Sequence, residues 1–318
     1  MSDDEFAELM RRADPARATH QTLTEADVLA NLREVKQKAR RARRRRQAWV
    51  ALPGAAALLT ALFVIQPWGA GAVSAVAATP LMLGTAPIEA DVQQVVDEAT
   101  HRLTESPASV PERRAEFEGW YLDIEVGEHL PATVVVSPQR QVIQWRPDLS
   151  GRITTTAGIA FIPQDGRSYP PPDGAAPAPG TVLGDDEFAA GEMPLLFSSE
   201  PPSTAAGMRR YLKDSGLNYI DAVRGLLSEW RLGADQHAAV LQILSSLDDI
   251  EVVGEVTDRL GRPAIALRVS SMTSRNFEHL VLVSSESGRI IALERVYLGG
   301  LTELDLPTPS VVEYIAWR

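Results

Sequence analysis

Residues Gly119 to Val126 read GWYLDIEV, and large apolar side chains alternate with polar ones along this stretch. Trp120, Leu122, Ile124 and Val126 fall on one side of an extended chain, because successive side chains of a β-strand point to opposite faces. This alternation is typical of a sheet that has one covered face and one face nearer to water. The chain is therefore expected to contain an antiparallel sheet.

More strands are predicted on both sides of this stretch. ATVVVSP, RQVIQWRPD and GRITTTAGIAFIP continue a strand-and-turn pattern as far as Ile162. IEVVGEV, AIALRVS, FEHLVLVSS and IIALERVYL follow later, separated by the turn-like TDRLGRP and SESGR, and they predict an antiparallel meander. The last residues, SVVEYIAWR, are expected to form a closing strand.

Four helices are predicted among these strands. Apolar residues recur at helical spacing over Ile88–Leu103, Ser203–Asp214, Asn218–Trp230 and Ala234–Leu247. Residues 163–202 contain nine prolines and five glycines, so a long surface loop is expected there, with at most a short ordered element near Leu195–Phe197.

Composition excludes several kinds of site. The chain of 318 residues has no cysteine, which rules out disulfides, thiolate zinc sites and a cysteine nucleophile. Its net charge of −11 is uneven: residues 1–47 carry twelve Arg and Lys against eight Asp and Glu, and the remainder carries nineteen against thirty-four. The two parts are therefore expected to face different surroundings.

An arginine-rich run meets an apolar run at residues 40–68, RRARRRRQAWVALPGAAALLTALFVIQPW. Ala48–Ile65 is free of charge and would reach about 27 Å as a helix, close to the thickness of a hydrocarbon core. We therefore predict a transmembrane helix at residues 48–67. Two alternatives remain open: a signal peptide cleaved within AGAVSAVAA at Ala70–Ala78, and a buried helix of a globular protein.

Charge predicts the orientation of this span, because basic residues beside a first span stay on the cytoplasmic side. Arg43, Arg44, Arg45 and Arg46 precede the apolar run, and the interfacial residues Trp49 and Trp68 bracket it. The expected location is the cell membrane, with a single span, residues 1–47 in the cytoplasm, a linker at 68–85 and residues 86–318 outside. Beside a span, the arginines are expected to contact anionic lipid, and no direct binding of nucleic acid is expected.

The cytoplasmic segment has two amphipathic helical stretches whose apolar faces are too small to form a core of their own. These faces either pair weakly with each other or bind a partner protein. The candidate partner-binding residues are Phe6, Leu9, Met10, Val28, Leu29 and Leu32.

The chain resembles an actinobacterial family of single-pass membrane proteins through ELMRRADPAR, the arginine-flanked span, AVRGLLSEWRLGADQHAAVLQILSSLDDIEVVGEVTDRLGRPAIAL and SSESGRIIALERV. Members of that family are often encoded beside extracytoplasmic-function sigma factors and are treated as anti-sigma or sigma-associated proteins. The order of helix and antiparallel strands after residue 86 is also similar to the half-barrel of lipoprotein carriers. The His-xxx-Cys-xx-Cys zinc motif of better-defined anti-sigma factors is impossible in a chain without cysteine.

Catalytic motifs are not evident. The five histidines are scattered, and neither HExxH nor GxSxG, a P-loop or a dinucleotide fingerprint occurs. We therefore expect a protein that is not an enzyme and that binds no cofactor or metal ion.

The predicted fold class is α+β: an N-terminal helical segment, one transmembrane helix, and an extracytoplasmic half-barrel-like antiparallel sheet with packed helices. Two functions fit it. The first is an anti-sigma-like regulator that couples an outer sensor domain to a sigma factor or another cytoplasmic protein. The second is a membrane-tethered carrier or scaffold that binds an envelope lipid or lipoprotein.

Overall fold

A nine-stranded antiparallel sheet is the largest element of the structure. The structure is a computed structural model, and it describes residues 79–105, 110–127, 130–158, 177–270, 275–300, 306 and 308–318. The strands are β1 (Arg114–Gly127), β2 (Leu130–Trp145), β3 (Gly151–Ala157), β4 (Val182–Phe188), β5 (Ile250–Thr257), β6 (Pro263–Ser270), β7 (Phe277–Ser284), β8 (Ile290–Tyr297) and β9 (Ser310–Trp317). Their order across the sheet is β4-β3-β2-β1-β9-β8-β7-β6-β5. Two meanders, β1–β4 and β5–β8, therefore lie on either side of β9.

The last strand joins the two meanders. On one side of β9, Trp317 pairs with Phe117 of β1 and Tyr314 pairs with Trp120. On its other side, Ala316 pairs with Ala292 of β8 and Tyr314 with Glu294. The sheet is thus continuous only because the C-terminal residues lie at its centre.

Four helices among the described residues share one apolar core with one face of the sheet. They are α1 (Val92–Glu105), α2 (Ala205–Lys213), α3 (Tyr219–Glu229) and α4 (Ala234–Leu244). Side-chain caps begin two of them: Thr204 Oγ1 accepts from the Gly207 N–H at the start of α2, and Asn218 Oδ1 accepts from the Asp221 N–H at the start of α3. Leu226 and Leu241 are fully buried in this helix-side core.

A second apolar cluster lies on the opposite face of the sheet, because alternate residues of β6–β9 point away from the helices. We call it the opposite-face cluster. Trp120 and Leu83 pack against its edge. Its buried members are Val256, Ala264, Ala266, Leu280, Leu282, Ile291, Ala292, Val296, Val311, Tyr314 and Ala316. Both faces of the C-terminal half of the sheet are therefore buried, which explains why β7 and β8 are apolar almost throughout.

Glycine at position 288 lets the β7–β8 turn approach α1. Gly288 has a φ of 70°, and a Cβ added there would lie 2.0 Å from the carbonyl oxygen of Ala99. Arg102 of α1 also donates to the carbonyl of Ser285 in the same turn. The turn thus positions α1 over the sheet.

A buried carboxylate ties the segment before α2 to the end of α3. The two oxygens of Glu229 accept the backbone N–H groups of Leu196 and Phe197, at 2.8 and 2.7 Å. Burial raises the pKa of Glu229 to about 7, although these two hydrogen bonds act in the opposite direction. The carboxyl group is therefore partly protonated near neutral pH.

The helices and the C-terminal meander agree with the sequence predictions, while three local features differ. The stretches ATVVVSP and RQVIQWRPD form the single strand β2, because both continue the same pairing with β1. Strand β4 lies inside the segment predicted as a proline-rich loop. Trp120 and Tyr121 face different sides of the sheet, and protein atoms cover both side chains. The water-facing side that the alternation predicted is therefore not found at these two residues.

The predicted fold class is wrong. It required a half-barrel with packed helices behind a transmembrane helix, and the structure has one continuous antiparallel sheet with helices on one face. The physical reason is the insertion of β9 between the two meanders, which periodicity alone does not reveal.

The predicted cytoplasmic segment 1–47 and the predicted span 48–67 lie outside the described residues. In the part of the chain that the structure describes, no helix is both long enough and apolar enough to cross a membrane. On this finding the predicted single-pass location in the cell membrane is wrong, and we do not retain it.

We predict that Gly288→Ala lowers the free energy of unfolding by about 3 kcal/mol, because a Cβ would clash with Ala99 and alanine disfavours a positive φ. Gly261→Ala is the matched control: its φ is also positive, at 81°, but nothing lies within 4 Å of the added Cβ. The control should lose only about 1 kcal/mol. Urea denaturation of the full chain measures both, and equal losses would contradict the proposed turn–helix contact.

A second prediction concerns pH. Since the folded-state pKa of Glu229 is raised from 4.5 to about 7, the folded chain binds the extra proton in that window, and its stability falls as pH rises through it. The loss attributable to Glu229 is about 3 kcal/mol at most. Glu229→Gln should remove this component.

The measurement is the difference in unfolding free energy between the wild type and Glu229→Gln at pH 5 and at pH 8. His237 has the opposite effect, because burial lowers its pKa to about 3, but it is present in both proteins and cancels in the difference. A difference that does not change with pH would show that Glu229 does not titrate in this window.

Candidate functional site

The opposite-face cluster contains a row of polar and aromatic side chains at one level of the sheet. Strand register places Trp120 of β1 beside Tyr314 of β9, Tyr314 beside Glu294 of β8, and Glu294 beside Leu280 of β7. The rings of Trp120 and Tyr314 lie 4.6 Å apart. The row therefore combines two aromatic rings and a carboxylate on an otherwise apolar surface.

Two hydrogen-bond donors in this row have no acceptor among the described residues. Trp120 Nε1 and Tyr314 Oη are both buried and both lack a hydrogen-bond partner. Burial raises the pKa of the Tyr314 phenol far above its usual value, so it remains a donor at all ordinary pH values. A buried donor without an acceptor costs about 1–3 kcal/mol, so two together need an explanation.

The carboxylate of Glu294 is already occupied. Arg259, in the β5–β6 turn, donates from Nε to Oε1 at 2.8 Å and from Nη2 to Oε2 at 3.1 Å. The Glu294 side chain is 0% exposed and that of Arg259 10%, and the guanidinium carbon lies 5.5 Å from the Tyr314 ring centre. Burial raises the pKa of Glu294, and Arg259 opposes this effect. The turn thus folds over the row.

A neighbouring ion pair holds the turn in this position. Asp258 accepts the N–H groups of Leu260 and Arg262 and pairs with the Arg262 guanidinium at 2.6 Å. Arg262 also donates to the carbonyls of Trp317 and Ile291. Each acid of the turn region is therefore matched with an arginine.

Residues 79–86, which we call the strap, cross the same face. Thr79 Oγ1 donates to Ser310 Oγ at 3.2 Å, and the carbonyl of Leu81 accepts from Arg259 at 2.8 Å. At its far end, Ala86 exchanges two backbone hydrogen bonds with Glu255 of the edge strand β5. Leu83 packs onto the cluster, whereas Leu81 is 51% exposed. The strap therefore covers the cluster with few apolar contacts of its own.

Three of the four residues in the next row of the cluster are alanines. Ala266, Leu282, Ala292 and Ala316 are neighbours in register across β6, β7, β8 and β9. All four are fully buried.

All of the site residues predicted from sequence lie outside the described residues, so the structure does not test them. They are Phe6, Leu9, Met10, Val28, Leu29, Leu32, Arg43, Arg44, Arg45, Arg46, Trp49 and Trp68. Sequence analysis did not identify Trp120, Tyr314, Glu294 or Arg259 as site residues. The only local signal among them is the charged side chain of Glu294 in an otherwise apolar strand. Among the described residues, no group of three or more His, Asp or Glu side chains is placed to hold a metal ion.

No protein-family model matches the chain, and no curated protein matches it. Among solved structures, it is similar to a DUF1329 family protein from Desulfovibrio piger, with 10% identity over 71% of this chain and 91% of that one and a TM-score of 0.21. It is also similar to a LolA superfamily protein from Nitrosomonas europaea, with 7% identity over 72% and 92% of the two chains and a TM-score of 0.18. At such scores neither likeness establishes a fold.

The predicted anti-sigma-like role depended on a membrane span, and the described residues contain no helix able to form one. That prediction is therefore wrong, and the signalling function is not retained.

The buried Arg259–Glu294 pair leads to a testable prediction. Glu294→Gln should lower the free energy of unfolding by about 3 kcal/mol or more, because it leaves the Arg259 charge buried without its partner. The double variant Arg259→Met/Glu294→Leu should recover most of that loss, since apolar side chains suit this environment.

The exposed pair Arg152–Asp185 serves as the control, and Asp185→Asn should lower the free energy of unfolding far less than Glu294→Gln does, because water screens this pair. Chemical denaturation of the four proteins provides the comparison. A double variant no more stable than Glu294→Gln would contradict the assignment of the loss to an unpaired charge.

Proposed function

We propose that this chain is a non-enzymatic carrier or scaffold that binds an amphiphile, either a lipid or a lipid-modified protein, on the opposite face of its sheet. The observation that carries the proposal is the pair of buried donors, Trp120 Nε1 and Tyr314 Oη, which lack acceptors in an apolar cluster. A ligand that supplies an oxygen acceptor on an apolar body would satisfy both needs.

An acyl ester or carboxyl group has that chemistry. Its oxygen accepts from Tyr314 and Trp120, while its hydrocarbon chain takes the place of the strap over Ala292 and Ala316. Each methylene buried there contributes about 0.8 kcal/mol, so a chain of ordinary length supplies most of the affinity. The two donors then fix the position of the headgroup.

The strap is the element that the ligand displaces. It covers the cluster through Leu83, one side-chain hydrogen bond from Thr79 and one backbone acceptor at Leu81, while Met82 and Leu81 face outward. These contacts are fewer than those of a helix of the helix-side core, so lifting the strap costs less than separating the helices from the sheet.

Tyr314→Phe tests the proposal, because it removes only the phenol oxygen. In the purified full chain, titrated with a dansyl-labelled fatty acid, the variant should bind about three- to tenfold more weakly, as expected for the loss of one hydrogen bond. Without ligand, its free energy of unfolding should stay unchanged or rise, since the lost group is buried without a partner.

The matched control is Tyr211→Phe on the helix side, where the phenol donates to the carbonyl of Ser199. This variant should bind the probe as the wild type does and should lose some stability. Failure of the wild type to bind the fatty acid, or equal binding by wild type and Tyr314→Phe, would refute the proposed function.

A further inference from the structure

The charges around the row that contains Tyr314 determine which kind of headgroup this row can accept. Four charged side chains act on the Tyr314 phenol, and they form two ion pairs, Arg259 with Glu294 and Arg262 with Asp258. The side chains of both acids are completely buried. Each arginine is therefore neutralised by an acid of the protein itself.

The hydrogen-bond donors of these two arginines are engaged as well. Arg259 donates from Nε and Nη2 to the carboxylate of Glu294, and its Nη2 also donates to the carbonyl of Leu81 in the strap. Arg262 donates from Nε and Nη2 to the carboxylate of Asp258. When the strap lifts, Arg259 loses only the Leu81 carbonyl and keeps both contacts with Glu294.

A third arginine at the same level of the sheet is paired with two acids. Arg268 of β6 lies in the register row of Glu294, and its guanidinium contacts Glu251 at 2.5 Å and Glu278 at 3.3 Å. Across these three groups, three arginines face four acids. A headgroup at this row therefore meets no surplus of positive charge from them.

The phenol of Tyr314 shows how this environment treats a negatively charged oxygen. Burial raises the pKa of the phenol far above its usual value, and the charges of Asp258 and Glu294 raise it further, while the two partner arginines act in the opposite direction. A ligand carboxylate that accepted from the same O–H would lie about 3 Å from this oxygen. It would therefore meet the same burial and the same two acids.

The unsatisfied groups of the row need only a neutral acceptor. Trp120 Nε1 and Tyr314 Oη are both uncharged donors, and their rings lie 4.6 Å apart. A carbonyl oxygen has two lone pairs and can accept two hydrogen bonds. An ester carbonyl thus satisfies both donors without bringing a buried charge that lacks a partner.

We infer that this site selects uncharged acyl esters over free fatty acids, and that Glu294 sets the preference because it neutralises Arg259. The inference rests on the proposed function, since it concerns the ligand class of the same site. The ester carbonyl accepts from Trp120 and Tyr314. A carboxylate in its place is buried beside Glu294 without a cation to pair with.

The test compares a dansyl-labelled fatty acid with its methyl ester, because the two probes share the same chain and dye. With the purified full chain at pH 8, the acid should bind about tenfold more weakly than the ester, which corresponds to a rise of about one unit in its carboxyl pKa on binding. At pH 5 the affinity of the acid should approach that of the ester, since more of the acid is then uncharged. The affinity of the ester should not change with pH.

Glu294→Gln tests the residue that sets the preference. In this variant the preference for the ester should disappear or reverse, because Arg259 is then available to pair with the carboxylate of the acid. The matched control is Glu313→Gln, which removes the same charge from a second polar row, on the helix side of the sheet, where Glu313 pairs with Arg224. The control should keep the wild-type preference.

The outcomes separate this inference from the proposed function. Equal binding of acid and ester by the wild type at pH 8 would overturn the selectivity and leave the proposed function in place, since both probes would still bind. Absence of binding by both probes would refute the proposed function and this inference with it. An unchanged preference in Glu294→Gln would overturn the role of Glu294, and the wild-type comparison does not depend on the stability of that variant.

Discussion

The continuity of the sheet depends on the pairing of strand β9 with β1 on one side and with β8 on the other. The register of β9 places Tyr314 between Trp120 and Glu294 on one face, and Glu313 between Tyr121 and Arg295 on the other. A slip of one residue would exchange the two faces and put the Glu313 carboxylate into the opposite-face cluster. Burial of both faces therefore fixes the register, and the register assembles both polar rows.

In both rows, a glutamate of a central strand is paired with an arginine from another element. Glu294 is fully buried and Glu313 is partly buried, and each is neutralised by an arginine from outside the sheet: Arg259 from a hairpin turn and Arg224 from helix α3. On the opposite face, two neutral donors, Trp120 Nε1 and Tyr314 Oη, are left without acceptors.

Local structure was predictable from sequence, because helix and hairpin signals lie within one element or between neighbours. The helices predicted at Ser203–Asp214 and Asn218–Trp230 and the turn predicted in SESGR, which contains Gly288, are examples. The sites were not predictable in this way. Trp120 and Tyr314 are distant in sequence, and SVVEYIAW shows a strand without showing which strands it joins. The half-barrel expected from strand order failed for the same reason, since order along the chain does not place β9 at the centre.

The buried titratable groups of this fold differ in their pKa values and in how they are held. A general acid or base needs a pKa near the working pH and access to a substrate. Glu229 meets the first condition, but both of its oxygens are held by backbone N–H groups inside the core. His279 borders a cleft, but with a pKa of about 4 it stays neutral and serves as a donor. Glu294 is locked to Arg259. Glu229 and Glu294 are thus committed to holding the fold.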